Sequence, residues 1–281
     1  MRPPSILARR FVAGETADSA IAAGLELHGR GINSTFDLLG EDVLDRDAAL
    51  RSATANKDLL RRIPAGVERN ISIKLTTMGL DIAEDFCLEL ASGVLDAARQ
   101  VGGFVRVDME GSKYTQRTID MFRQLRKSHE NVGIVLQSYL RRTEQDVKEA
   151  VKRHDRVRIC KGAYREPPEI AFPDMDEIRA SYRRCAELLL DQGNYPAIAT
   201  HDESLVKHAI DYTREKGIPP ARFEFQMLYG LRPRRWDELV AAGYRMRVYV
   251  PYGTHWFPYF YRRLRERREN ILFVVRNLFG G

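Results

Sequence analysis

Short apolar runs and longer stretches of helical periodicity alternate along almost the whole chain. The apolar runs lie near Phe36 to Leu39, Ile71 to Leu75, Phe104 to Met109, Val132 to Leu136, Val157 to Cys160, Ala197 to Thr200, Phe223 to Phe225 and Met246 to Val250. Their shortness and β-branched content predict strands. In the last run Met246, Val248 and Val250 alternate with Arg247 and Tyr249, a period of two, before Pro251 and Gly253 break it. Between the runs, apolar positions recur at helical spacing over Asp45 to Arg62, Ile82 to Val101, Thr115 to Lys127, Glu144 to Lys152, Met175 to Leu190, Ser204 to Lys216 and Trp236 to Ala241. One further helix is predicted before the first strand, over Ala17 to Gly29, and another after the eighth, over Tyr259 to Arg267. Arg165 to Asp174, with three prolines, is the one long loop.

Eight strand-then-helix units with no break in composition predict one domain over residues 1–281. The fold class expected is α/β, a (β/α)8 barrel of the TIM type with an extra N-terminal helix. The competing architecture is an open, doubly wound sheet. Against it, no G-x-G-x-x-G follows the first strand, and the strand count reaches the number that closes a barrel.

Composition narrows the function classes. The 281 residues are 44% hydrophobic, enough for one large core. Lys plus Arg number 45 against 39 Asp plus Glu, a net charge of +6 with a pI of 9.2, so the surface attracts anions mildly, nucleotides and acidic lipid included. Both signs are mixed along the chain and no basic patch is interleaved with stacking aromatics, which argues against nucleic acid as a partner. Cys87, Cys160 and Cys185 form an odd set without C-x-x-C spacing, as expected of reduced thiols in a cytoplasm. The apolar run Ile6 to Ala8 is too short for a signal peptide, and no later stretch approaches a membrane span. The expectation is a soluble, cytoplasmic protein, bound peripherally at a membrane surface at most.

Active sites of such barrels lie at the carboxyl ends of the strands. Polar residues recur there: Lys74, Asp108, Gln137, Lys161, His201, Gln226 and Tyr249. Any one of them alone reads as a helix cap or loop residue; seven at equivalent positions read as a site. Arg158 stands out, because it sits inside the strand Val157 to Lys161 where a barrel interior is ordinarily apolar. A buried charge demands a partner, and Asp108, another structural ion pair and an electron-rich cofactor are the alternatives. Lys161 and Gly162 offer an ammonium and a close backbone approach for a phosphate. Lys74 and Asp108 form a pair at adjacent strand ends, or Lys74 is a Schiff-base nucleophile. His201 beside Asp202 has no second His or Cys at ligand spacing, so no metal is expected. Near the end of the chain Arg262 and Glu266 are four apart on one helical face and Arg263 adjoins Arg262. Paired guanidiniums suit a carboxylate, while the bland reading is a solvated face continued by Arg265, Arg267 and Arg268. Trp256, Phe257, Tyr259 and Phe260 pack against the barrel or close its mouth.

Taken together, the segments Arg10 to Glu15, Ser72 to Leu75, Val107 to Met109, Val135 to Gln137, Arg158 to Tyr164, Ala199 to Asp202, Phe223 to Leu228 and Tyr249 to Glu266 resemble the FAD-dependent proline dehydrogenases of the bacterial single-function type. The resemblance implies a (β/α)8 barrel, FAD as cofactor and oxidation of L-proline to Δ1-pyrroline-5-carboxylate by hydride transfer from ring carbon 5 to flavin N5, with electrons passed to a quinone. It further implies that Arg262, Arg263 and Lys74 hold the proline carboxylate, with Glu266 holding the guanidinium of Arg262. Tyr249 and Tyr164 flank the ring, and Asp108 orders the site around Lys74 and Tyr249. Arg158 lies by the flavin, where the charge of the reduced ring accounts for its burial. Met109, Gln137, Lys161, Gly162, Ala163, Thr200, His201 and Gln226 correspond to positions around FAD. Asp108, Arg158 and Tyr249 are thus the expected catalytic set. His255 departs from the family pattern, which often has an acidic or other polar residue there. No second domain for oxidising the product is expected, so a separate enzyme would take it, receiving it directly by transient docking. The competing functions are a lyase or aldolase using Lys74 or Lys161 as a Schiff-base nucleophile, and a non-catalytic anion-binding barrel.

Overall fold

The computed structural model describes residues 10–40, 43–257 and 259. Helix α1 (Ala17–Gly29) comes first, capped by Thr16, whose side chain accepts from the Ser19 amide while the Ser19 hydroxyl accepts from the Thr16 amide. Strands and helices then alternate: β1 (Asn33–Leu38), α2 (Arg46–Arg62), β2 (Asn70–Ile73), α3 (Glu84–Gln100), β3 (Phe104–Val107), α4 (Ser112–Arg126), β4 (Val132–Gln137), α5 (Thr143–Lys152), β5 (Arg156–Cys160), α6 (Met175–Gln192), β6 (Ala197–Ala199), α7 (Glu203–Glu215), β7 (Glu224–Leu228), α8 (Pro233–Ala241) and β8 (Met246–Tyr252). The eight strands pair in sequence order and β8 pairs with β1, so the sheet is a closed parallel barrel. The doubly wound alternative is excluded by that closure.

Boundaries shift where local chemistry outweighs periodicity. Helix α8 starts at Pro233, three residues before the predicted Trp236, because proline is preorganised for a first helical turn and needs no amide partner there. Strand β7 runs on to Leu228, beyond the predicted Phe225. The predicted helix beyond Tyr259, with Arg262, Arg263 and Glu266, lies outside the described residues.

Helix α1 packs against β8 and β1, the outer groove that the eighth helix of such a barrel would fill. Gly24 permits this approach, since a Cβ there would lie 2.5 Å from the Phe36 ring.

The strands present their apolar residues outward. Met246, Val248 and Val250 belong to the core between sheet and helices, whereas Arg247 and Tyr249 point into the barrel and reach Glu224 and Asp108. The lumen is therefore largely polar, with Arg106, Arg158, Glu224 and Arg247 each at most 6% exposed. Small residues let long ones cross it. Arg106 on β3 donates to the Arg156 carbonyl on β5 at 2.8 Å, passing over Gly133 on β4, where a Cβ would lie 2.6 Å from the guanidinium. On β6, the shortest strand, Ala197 is in register with Arg158 and with Glu224, and Ala199 with Gln226.

Candidate active site

A cavity of about 340 Å³ opens at the carboxyl ends of the strands, within the range of small-molecule sites. It is lined by Lys74, Asp108, Met109, Gln137, Arg158, Lys161, Gly162, Ala163, Tyr164, Thr200, His201, Gln226 and Tyr249. Every site residue expected from the sequence and lying among the described residues thus meets in one place. Val135, Cys160, Met175, Met227, Leu228 and Tyr259 complete much of the apolar wall.

Arg158 is the hub of the floor. Its Nε donates to Gln226 Oε1 at 2.6 Å, Nη1 to Asp108 Oδ1 at 2.7 Å and Nη2 to Ser72 Oγ at 3.2 Å. Of the alternatives open to it, Asp108 is the charge partner present. The guanidinium also lies 5.3 Å from the centre of the Tyr249 ring, a cation–π distance. Tyr249 donates its hydroxyl to the other oxygen of Asp108 at 2.8 Å. Burial, with the nearby charge of Asp108, pushes the Tyr249 phenol well above its ordinary value, so the hydroxyl stays protonated and its hydrogen is committed.

The expected Lys74–Asp108 ion pair does not form. Lys74 Nζ instead donates to both oxygens of Asp37, at 2.8 and 3.0 Å, because Asp37 on β1 points into the lumen beside β2 while Asp108 is taken up by Arg158 and Tyr249. Burial disfavours the ammonium, but the charges of Asp37 and Asp108 outweigh it and hold the Lys74 pKa above the ordinary lysine range. A Schiff-base nucleophile must be a free amine, so this pinned ammonium is unsuited to lyase chemistry and suited to an anion. Asp37 and Ser72 were missed by reading strand ends alone. The signal was a polar residue inside an apolar run, the same one that marked Arg158.

Around the mouth, Lys161 and Arg179 both donate to Asp202 Oδ2, at 3.2 and 2.9 Å. Against its burial, Arg179, Ser204 and Lys161 hold the Asp202 carboxyl below its ordinary range, and Asp202 caps α7 through the Ser204 amide. His201 Nε2 accepts the Leu228 amide hydrogen at 2.8 Å, which leaves Nδ1 to carry the proton of a neutral ring. Gln137 donates to the Glu110 carbonyl at 2.8 Å. Gly162 has φ +110°, and a Cβ there would lie 2.2 Å from the Tyr139 ring, so only glycine fits. Tyr164 is set by the long loop, which is fastened to the start of α4. Glu166 accepts from the Ser112 amide at 2.7 Å and from the Ser112 hydroxyl. Among the described residues no group of three or more His, Cys, Asp or Glu is placed to hold a metal ion, and no helix is long and apolar enough to cross a membrane.

A family model described as proline dehydrogenase matches residues 20–276. The chain belongs to the proline dehydrogenase family. It is 39% identical to proline dehydrogenase 1 of Bacillus subtilis (strain 168) over 272 residues, covering 96% of this chain and 90% of that protein. It is likewise 39% identical to the proline dehydrogenase of Deinococcus radiodurans over 284 residues, covering 98% and 91%. Among solved structures, proline utilization A (PutA) of Bdellovibrio bacteriovorus, inactivated by N-propargylglycine, superposes with a TM-score of 0.86 at 27% identity. That match covers 97% of this chain and 34% of the PutA chain, so this proline dehydrogenase spans about a third of PutA. The two bacterial relatives are matched along 90% and 91% of their own length.

Proposed function

We propose that this proline dehydrogenase binds FAD in the cavity and oxidises L-proline to Δ1-pyrroline-5-carboxylate. The observation that carries the flavin reading is Arg158, a buried cation held by three acceptors on the cavity floor. Of the five guanidinium N–H groups, two remain without a partner among the described residues, and they suit an electron-rich ring. The rest of the lining fits the same group. Lys161 and the glycine backbone at Gly162 suit phosphates, Gln137, Thr200, His201 and Gln226 suit polar edges, and Met109 and Ala163 suit the ring faces. Bound there, FAD supplies the acceptor for a hydride from proline carbon 5, and a quinone is the proposed onward acceptor.

The chain's own residues bind and orient. Lys74, kept protonated by Asp37, together with Arg262 and Arg263 holds the proline carboxylate, and Glu266 steadies Arg262. Tyr164 and Tyr249 flank the pyrrolidine ring. Neither Lys74 nor Tyr249 is the proton acceptor for the substrate amine, since the first has no free lone pair and the second already donates to a carboxylate. Asp108 keeps Arg158 and Tyr249 in fixed relation. We read residues 1–281 as one catalytic barrel domain in the cytoplasm. On this reading the pI of 9.2 favours transient docking at the anionic membrane surface that holds the quinone.

The test is an absorbance spectrum of the purified protein followed by anaerobic L-proline. A flavin spectrum that bleaches is the expected result, with Arg262→Ala and Arg263→Ala each weakening proline binding. A bound flavin that proline leaves oxidised would remove the substrate assignment; a colourless protein that takes up no FAD would remove the cofactor.

A further inference from the structure

Below the cavity floor the barrel holds a second charged layer that the reaction does not touch. Its centre is Glu224, 1% exposed, whose carboxylate takes four donors. Arg247 approaches it side-on, Nε to Oε1 at 2.8 Å and Nη2 to Oε2 at 3.0 Å. The Tyr195 hydroxyl reaches Oε2 at 3.2 Å, and the Gln226 amide nitrogen reaches Oε1 at 2.5 Å. Glu224 and Gln226 are two apart on β7 and face the lumen one above the other.

Gln226 is thereby held between groups of opposite demand. An ionised carboxylate only accepts hydrogen bonds and a guanidinium only donates them. The amide must therefore turn its NH2 down to Glu224 and its oxygen up to Arg158 Nε. Reversed, it would set oxygen against carboxylate and NH2 against guanidinium, losing two hydrogen bonds and creating two repulsions. The direction follows from chemistry at both ends. Arg158 in turn offers Nη1 to Asp108 and Nη2 to Ser72 with Nε seated on Gln226.

We propose that Glu224, which contacts neither substrate nor cofactor, is a positioning residue for the reaction: it fixes the direction of the Gln226 amide and, through it, the setting of Arg158 on the cavity floor. Its effect on flavin reduction rests on the flavin reading of the cavity given above. A guanidinium that drifts from a reduced flavin stabilises its negative charge less, so the flavin becomes harder to reduce.

The experiment uses the flavin-loaded enzyme and four variants: Glu224→Gln, Gln226→Leu, the two combined, and Glu68→Gln. Glu68 is the second carboxylate on Arg247, through Oε2 at 2.7 Å, and its Oε1 accepts from the Asn70 side chain at 3.3 Å. Glu224→Gln is expected to slow reduction by proline about tenfold, as small misplacements at a reacting centre do, with KM changed less than about twofold and the flavin midpoint potential lowered. Gln226→Leu should reproduce both effects. In the Gln226→Leu background Glu224→Gln should then change neither rate nor potential further, while still lowering Tm through Arg247. Glu68→Gln should lower Tm and leave rate and potential alone. A Glu68→Gln variant that shifts the potential as Glu224→Gln does would overturn the proposal, as would a Glu224→Gln effect that persists undiminished without Gln226. Should Glu224→Gln not fold, Glu224→Asp keeps the buried charge but draws it back by one methylene from the Gln226 amide, and is read in the same way. If the protein takes up no flavin or proline does not reduce it, the functional reading fails separately. The positioning claim is then decided by Tm: coupling of Glu224→Gln with Arg158→Lys that vanishes in the Gln226→Leu background supports it, and additivity in both backgrounds overturns it.

Discussion

Tyr249 donates to one oxygen of Asp108 at 2.8 Å while Arg158 donates to the other at 2.7 Å, so a single carboxylate sets the distance between an aromatic wall and a cation. Removing only the hydroxyl tests that coupling. Tyr249→Phe should retain the ring and the fold yet lower kcat/KM roughly tenfold or more, since hydrogen bonds to charged groups are worth about 1.5–3 kcal/mol. Steady-state kinetics on a variant that still unfolds cooperatively, at a melting temperature lowered by several degrees, would bear this out; an unaltered kcat/KM would not.

The same ring limits what fits. Because the Tyr249 ring lies against Arg158 and its hydroxyl is anchored to Asp108, it has little room to withdraw from a substituent on proline carbon 4. Hydroxyproline is expected to be turned over much more slowly than proline. Equal turnover of the two would sink the idea.

Lys74 and Asp37 are a buried pair, with side-chain exposures of 10% and 1%. Losing one partner of such a pair strands the other charge, at a cost of about 3–5 kcal/mol. Lys74→Met and Asp37→Asn should each be strongly destabilising, and the double variant should be less so than the sum of the two. Urea unfolding of the three proteins measures the coupling.

Glu224 makes a prediction about acid. Burial opposes its charge, but Arg247 and Gln226 hold its pKa down to about 2, against an ordinary 4.5. A carboxyl depressed on folding contributes stability that is fully present above its unfolded value and is lost as pH falls through the folded one. The stability advantage of the wild type over Glu224→Gln should therefore be flat above about pH 5 and shrink between pH 4.5 and 2, by about 3 kcal/mol at most. An advantage that is constant across that window would contradict the assignment.

The three thiols should separate kinetically. Burial pushes Cys87 up to about 12 and Cys185 up to about 11, so almost no thiolate is present at neutral pH. Cys160 is only partly buried and lines the cavity. Iodoacetamide at pH 8 should modify Cys160 at least roughly tenfold faster than the other two, and FAD in the cavity should protect it, as read by peptide mass mapping.

Most of the barrel was legible in the chain, since strand length, helical period and count are local properties. So were the residues of the cavity rim, because the fold sends every strand's carboxyl end to one place. What was not legible is who pairs with whom. Asp37 sits in an apolar run and Arg247 between Met246 and Val248, and neither position by itself says which charge it will meet across the lumen. In this barrel the alternation is inverted: the helices take up the apolar faces and the lumen takes the charges, so a charged residue in a strand faces inward. Arg158 was recognised by that same signal, whereas Glu224 needed the register of β5, β6 and β7 to become visible.

Arg158 and Gln226 stand two strands apart, and the strand between them puts Ala197 in register with the one and Ala199 with the other. Activity is therefore vulnerable at positions that carry no charge and do no chemistry, Ala199 being one small patch of the cavity wall. An Ala199→Val change would count as conservative by composition and leave eight strands in place, yet it would wedge apart the arginine and the amide that it never touches chemically. Inheritance can disable this barrel through its smallest side chains while every functional residue remains in the gene.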